Sequence, residues 1–207
     1  MNPRILICTP IVTGVGPKAY ASHCQMWKWI GTQSAYSASE MGEEYGPPPY
    51  YASHMVVGPR RAPRNIRNEA ARTALASGAT HLFFLDDDII VEPRILDTLV
   101  VVDKPIVGAL LYNSEGLPLV WDGDDESEIT FPDYPRTGAF PCWAVALGAM
   151  LIKTEVFKAL PPPWFWFDKT LRTMDVNFCR SAQEAGIEVW CSASPQSRQI
   201  IHDEREI

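Results

Sequence analysis

Three consecutive carboxylates, Asp86, Asp87 and Asp88, close an apolar run from His81 to Leu85 in the segment HLFFLDDDIIVEP. Adjacent anions repel one another unless water or a cation compensates them. On an extended backbone side chains alternate between faces, which sends Asp86 and Asp88 one way and Asp87 the other. Two carboxylates converging at the C-terminal end of a buried strand suit a hard divalent cation and the phosphates it bridges. A solvated acidic turn and a phosphatase nucleophile share the same local pattern, so the surrounding residues have to decide.

Four further groups have chemistry to offer. Asp175 shares a helical stripe with Phe178, Ala182 and Ala185, so its carboxylate extends an inward apolar face. Arg64 and Arg67 are spaced to share one face near a helix start, where cations and free amides suit a diphosphate. Arg60 and Arg61, just upstream, read as solvated charges. Trp164 and Trp166 in PPPWFWF point the same way on an extended segment, and aromatic faces pack well on sugar C–H surfaces. His202 follows the apolar pair Ile200-Ile201 and could add a nitrogen ligand to a metal.

These residues need elements to position them. RILICTP reads as a buried first strand ending at Thr9-Pro10, and Lys18 to Ile30 as a helix with Tyr20, Cys24 and Trp27 on one face. Gly31 to Pro49 is polar and ends in GPPP, which reads as a loop. Tyr51 to Val57 forms a second strand. Arg64 to Ser77 is a helix, with Pro63 at its start and Gly78 past its end. The strand His81 to Leu85 follows, then a short helix opened by Pro93 and a strand from Pro105 to Leu111.

Ser114 to Pro141 reads as a variable connection or a pair of short edge strands. Trp143 to Lys153 is apolar, with Gly148 marking a strand position where a ligand or another backbone comes close. Thr154 is placed to cap a short helix through Leu160, which Pro161 to Pro163 stop. The last helix runs from about Met174 to Ala185, before a strand from Glu188 to Cys191. Alternating strands and helices predict an α/β sandwich around a mostly parallel sheet.

The 207 residues, 46% hydrophobic and 21% charged, are enough for one well-cored domain. A net charge of -7 argues against a general nucleic-acid partner. The five cysteines are scattered without CxxC spacing, which favours reduced thiols and a cytoplasmic setting over a disulfide framework or zinc site. No run reaches the roughly 20 apolar residues of a membrane span.

In their order along the chain, these blocks resemble the GT-A glycosyltransferases. The blocks are the Thr9-Pro10 strand end, the stretch RNEAARTALASGATHLFFLDDDI from Arg67, the strand GAMLIKTEVF, the helix start TMDVNFCRSAQEAGIEVW and the late His202. The resemblance covers most of the chain outside Gly31 to Gly46 and Ser114 to Pro141. A haloacid-dehalogenase-like hydrolase also has a DxD after an apolar strand, but its motif has Thr or Val where this chain has Ile90.

The resemblance implies a Rossmann-like GT-A α/β/α sandwich in one domain over residues 1–207. About 1–112 would bind the nucleotide-sugar donor, UDP- or GDP-linked, and about 113–207 would shape the acceptor and catalytic half. It implies a divalent metal, Mn2+ in preference to Mg2+, held by Asp88 and His202 with support from Asp86. Thr9, Pro10, Arg67, Asp86 and Asp87 would contact the nucleotide, and Gly148, Trp164 and Trp166 the acceptor.

Asp175 would be the catalytic base of an inverting transfer to an acceptor hydroxyl on a glycan, protein or lipid-linked carrier. The family commonly has an acidic pair at this point, whereas this chain has Met174-Asp175. Two alternatives stand beside this reading. A nucleotidyltransferase would show a glycine-rich, lysine-containing N-terminal loop, of which GVGPK (Gly14 to Lys18) is an echo. A catalytically silent nucleotide- or sugar-binding protein on the same scaffold is favoured by the reduced acidic pair.

Overall fold

The computed structural model describes residues 2–11, 15–38, 50–57, 62–122, 133–167, 173–193 and 198–199. The chain runs β1 (Arg4–Pro10), α1 (Pro17–Ala38), β2 (Tyr51–Val57), α2 (Pro63–Ala76), β3 (His81–Leu85), β4 (Ile89–Ile90), α3 (Ile95–Val102) and β5 (Ile106–Ala109). It continues with β6 (Val120–Trp121), β7 (Ala139–Cys142), β8 (Ala144–Val145), β9 (Ala149–Lys153), α4 (Thr154–Ala159), α5 (Met174–Glu184), β10 (Val189–Ser192) and β11 (Arg198–Gln199).

A seven-stranded sheet in the order β2-β1-β3-β9-β5-β10-β7 forms the middle layer. Strands β1, β2, β3, β5 and β10 run in one direction, with β9 and β7 against them. The central strands are apolar on both faces because both are covered. On β1, Leu6 and Cys8 join one core with α2, α4 and α5, while Ile5 and Ile7 join the other with α1 and α3. The same two-residue period assigns Leu82 and Phe84 of β3 to the α2 side, and Phe83 and Leu85 to the α1 side. The expected α/β/α sandwich around a mostly parallel sheet is the fold observed. Among the described residues no helix is long and apolar enough to cross a membrane.

Several local expectations need correction. Helix α1 extends to Ala38, so Gly31 to Ala38 is helical and only residues after it fall outside the description. Among its described side chains the buried ones are Ala19, Ser22, His23, Met26 and Ile30, whereas Tyr20 is 63% exposed and Cys24 is exposed. The Tyr20-Cys24-Trp27 stripe is therefore not the inward face. The apolar stretch Trp143 to Lys153 is two strands, β8 and β9, broken at Ala146 to Gly148. Thr154 does not cap α4. Its hydroxyl donates 2.9 Å to Ala79 O and 3.2 Å to Thr80 O, tying the helix to the loop before β3. The region 114–141 does contribute short strands, β6 and the start of β7, with 123–132 outside the described residues.

Candidate active site

In open α/β sheets ligands bind beyond the carboxyl ends of the parallel strands. Here that edge gathers the ends of β1, β3, β5 and β10 and the start of β9. The acidic triplet follows β3 directly. Phe84 and Asp86 have the same parity, so both face α2, and Arg67 on α2 meets both. Its guanidinium carbon lies 4.9 Å from the Phe84 ring centroid, and its Nη2 donates to Asp86 Oδ1 at 2.9 Å and Oδ2 at 2.7 Å. Arg67 is only 6% exposed, and its Nε and Nη1 have no hydrogen-bond partner among the described residues. Such buried, unsatisfied donors are unusual and favour an anion as their complement.

Asp87 has the opposite parity and is 5% exposed, with its charge bearing on His23 of α1. It does not line the recess beside Asp86. The alternation stops there. Ile89 N donates 3.2 Å to Asp86 O, so the aspartates turn instead of continuing as a strand, and extension no longer brings Asp88 beside Asp86. Asp88 is half-buried in that turn. Helix α1 grips the segment after it: His23 Nε2 donates 3.0 Å to Ile89 O, and Val91 N donates 3.3 Å to Ser22 Oγ. Burial holds the His23 imidazole below its ordinary pKa, with the Ile89 carbonyl pulling the other way.

A recess of about 250 Å³ opens at this edge, and Arg67, Asp86, Gly148, Phe167, Thr173 and Asp175 all line it. Ile89, Leu111, Leu119, Ala146, Leu147 and Met174 supply its apolar wall. Asp175 sits in the first turn of α5, where a carboxylate complements the helix dipole, and its Oδ1 accepts 3.2 Å from Val176 N. Beneath Arg67, burial raises the Cys8 thiol to about 12 while the guanidinium opposes that shift. The thiol is therefore inert at neutral pH.

The structure thus brings Arg67, Asp86, Gly148 and Asp175 to one cavity. Thr9 and Pro10 are buried at the end of β1, outside that cavity, with Thr9 Oγ1 hydrogen bonded to His54 Nε2 at 3.0 Å. Trp164 needs correction as an acceptor contact. It is 6% exposed, and its indole N–H is already shared between Phe157 O at 3.1 Å and Leu160 O at 3.0 Å. Trp166 lies with the prolines 161–163 in a different hollow. Phe167, at 52% exposure, is the aromatic residue of this segment that reaches the recess. His202, Arg60 and Arg61 lie outside the described residues.

Asn68 was legible only as the second letter of the Arg67-Asn68 pair. It is 6% exposed and its Nδ2 donates to Arg64 O and Phe165 O, both at 2.7 Å, while its Oδ1 accepts from Trp164 N at 2.9 Å. Asn177 Nδ2 donates 3.1 Å to Trp166 O from α5. Adjacent residues of α2 thus divide the work, Arg67 holding the acidic turn and Asn68 holding the segment that leads to Phe167.

No protein-family model matches this sequence, and neither does any curated protein. Solved structures do resemble it. The crystal structure of A197 from STIV is 15% identical, with 98% of this chain and 92% of that one covered and a TM-score of 0.61. That of GalNAc-T7 with UDP, GalNAc and Mn2+ is 13% identical over 97% of this chain and 44% of that one, also with a TM-score of 0.61. S. aureus TarS 1-349 in complex with UDP-GlcNAc is 11% identical over 96% and 59%, with a TM-score of 0.50. The chain therefore spans about half the length of two of the structures it resembles. At such identities the likeness shows the fold: a GT-A, Rossmann-like α/β/α sandwich.

Proposed function

We propose that this protein is a glycosyltransferase that uses a divalent cation and moves one sugar from a nucleotide-sugar donor to an acceptor hydroxyl with inversion. The observation that carries the reading is the recess itself. It lies at the carboxyl edge of the sheet and is lined by both the buried Arg67–Asp86 pair and the Asp175 carboxylate. The bound UDP, GalNAc and Mn2+ named for GalNAc-T7, and the UDP-GlcNAc named for TarS, support a donor of the UDP type on this scaffold. GDP-linked sugars fit the same chemistry.

Asp175 acts as general base. It takes the proton of the acceptor hydroxyl, whose oxygen attacks the anomeric carbon from the side opposite the diphosphate. The new C–O bond forms as the bond to the phosphate oxygen breaks, and the electron pair leaves with the nucleoside diphosphate. Arg67, which lines the recess beside Asp86, supplies positive charge close to the departing diphosphate. Asp86 holds the guanidinium in place, and Thr9 and Pro10 border the nucleoside end. The acceptor, a glycan, protein or lipid-linked carrier, enters over Phe167 and Gly148. Residues up to about 112 serve the donor, and the remainder of the single domain serves the acceptor.

A hard cation at the acidic turn is part of the same proposal, and it would rest on few protein ligands. Among the described residues no group of three His, Cys, Asp or Glu side chains converges, and Asp86 is engaged by Arg67. Magnesium-type sites commonly take one or two carboxylates and complete their shell with water and substrate phosphates. Asp88 is the carboxylate for that role, with His202 as a second ligand that would favour Mn2+ over Mg2+. A bound cation would supply Lewis-acid stabilisation of the departing diphosphate.

Calorimetric titration with UDP and GDP, with Mn2+ or with chelator, tests this reading. Cation-dependent binding that Asp88→Asn abolishes is the expected outcome. Binding that ignores both the cation and Asp88→Asn would overturn the metal assignment, and no binding of either nucleotide would overturn the donor site.

A further inference from the structure

We infer that the protein binds a small phosphate-bearing anion in a second hollow, at the edge of the sheet opposite the acidic turn, through Arg4, Lys153 and Lys158. This site stands apart from the transferase chemistry proposed above and needs no metal.

The hollow lies where β1 and β3 begin and β9 ends. Arg4 precedes Ile5, which pairs with His81, and His81 pairs with Lys153 on the next strand. Lys158 comes from α4, and Gly78 to Thr80 from the turn after α2. Strand β3, five residues long, separates this edge from Asp86 by roughly 17 Å at about 3.3 Å per residue. That exceeds the ~8 Å Debye length at physiological salt, so the two edges hold their charges independently.

The lining charge is one-sided. Three cations stand against a single carboxylate, Glu155, on a chain whose net charge is -7. Gathered like charges repel, and an anion among them reverses that cost. Lys153 is 22% exposed, and its Nζ lies 2.8 Å from Asp103 Oδ1 and donates 3.3 Å to Asp103 O. An ammonium carries three protons, so one remains for a ligand. Arg4 and Lys158 are exposed, with no carboxylate at ion-pair distance among the described residues. The end of α2 does not need these cations. Ser77 N, Gly78 N and Ala79 N already donate to Thr73 O, Leu75 O and Ala74 O at 2.9, 3.3 and 3.1 Å.

The walls are fixed before any ligand arrives. Arg4 N donates 2.8 Å to Thr80 Oγ1, and Thr80 N donates 2.8 Å to Arg4 O. Thr154 Oγ1 stitches α4 to the same turn through Ala79 O and Thr80 O. The Arg4 guanidinium lies over Gly78, where a β-carbon would stand 3.5 Å from its Nη2. At about 390 Å³ the hollow falls within the roughly 300–1,000 Å³ of small-molecule sites, and Leu75 and Ala79 add apolar lining. A planar guanidinium beside two ammonium groups suits the several oxygens of a phosphate better than the two of a carboxylate.

Calorimetric titration of the full chain in chelator, with inorganic phosphate, glucose 6-phosphate and glucose, tests the assignment, and amide NMR shifts locate the ligand. Phosphate-bearing probes are expected to bind and glucose is not. The tighter of the two phosphates shows whether the group is free or carried on an organic body. Shifts are expected at Gly78 to His81 and at Lys153 to Lys158. Arg4→Gln and Lys158→Gln replace exposed side chains, so the melting temperature without ligand should hold, while each weakens binding about tenfold. Shifts confined to the recess of Arg67 and Asp175, binding unmoved by both substitutions, or no binding at millimolar phosphate would overturn the site.

Discussion

Arg67 binds both carboxylate oxygens of Asp86 through a single nitrogen, Nη2, at 2.9 and 2.7 Å. Its Nε–H and Nη1–H groups are buried without a hydrogen-bond partner among the described residues. Had the fork closed on Asp86 through two nitrogens, the arginine would be a satisfied structural pair. In the observed geometry it pins the first aspartate and still presents Nε–H and Nη1–H groups in a buried setting.

The pair should be costly to break from one side. Arg67 and Asp86 side chains are 7% and 24% exposed, so the aspartate left behind can recover some water. Arg67→Ala is expected to destabilise by about 2–3 kcal/mol, below the 3–5 kcal/mol of fully buried pairs. Arg67→Lys keeps the charge but loses the planar fork and should also weaken nucleotide binding. Denaturant midpoints and nucleotide titration check the two effects separately.

Asn68 makes a different prediction, because its bonds hold a loop. Asn68→Ala leaves buried groups at Arg64 O, Phe165 O and Trp164 N short of a partner. A loss of about 2–4 kcal/mol is expected, read as a shift of the denaturant midpoint.

Two glycines should respond unequally to the same substitution. At Gly108 a β-carbon would meet Val145 Cγ2 at 2.7 Å and Cγ1 at 2.8 Å, on a stiff β-branched side chain. At Gly148 the nearest atoms are the side-chain ends of Ile89 and Leu111 at 3.0 Å, which can swing. Gly108→Ala should cost about 2–3 kcal/mol and Gly148→Ala under about 1.5 kcal/mol. Only the second, which lines the recess, should alter ligand binding there. Parallel unfolding and titration of both variants decide.

Acid should destabilise the fold through histidines. Burial holds His23, His54 and His81 below the ordinary value of 6.5, so the native state favours their neutral forms. Their contribution is complete above about pH 6.5 and is lost as pH falls from there through the depressed native values. The melting temperature should be flat near pH 7–8 and decline below 6.5, and His81→Gln should make the decline shallower. His81 lies at the opposite end of β3 from the aspartates, so that variant does not touch the site.

Much of this was legible in the sequence because period and punctuation carry it. The apolar run His81 to Leu85 and the Pro63/Gly78 bracket marked out β3 and α2, but the pairing of Arg67 with Asp86 was not among the expectations. Misreadings fell where tertiary contacts outweigh local pattern. The inward stripe of α1 is set by a small residue and two polar ones, Ala19, Ser22 and His23, which a search for large apolar residues passes over. The alternation rule failed at Asp88 because a turn closed by Ile89 N ended the extended backbone. Trp164 lies inward because Asn68 and the Phe157 and Leu160 carbonyls hold it there, and Phe167, to which the sequence pattern gave no role, lines the recess.

In the proposed reaction Asp175 deprotonates an acceptor above a donor sugar held beside Arg67 and Asp86. Its most direct test is single-turnover donor cleavage with Mn2+, using donors that bind and water or a simple alcohol as acceptor, followed by NMR of the product anomer. Release of nucleoside diphosphate together with a sugar product of inverted anomeric configuration is expected. Asp175→Asn should slow that release by about 10²–10⁴-fold with unchanged donor affinity. A product of retained configuration, or an Asp175→Asn variant as fast as the parent, would contradict it.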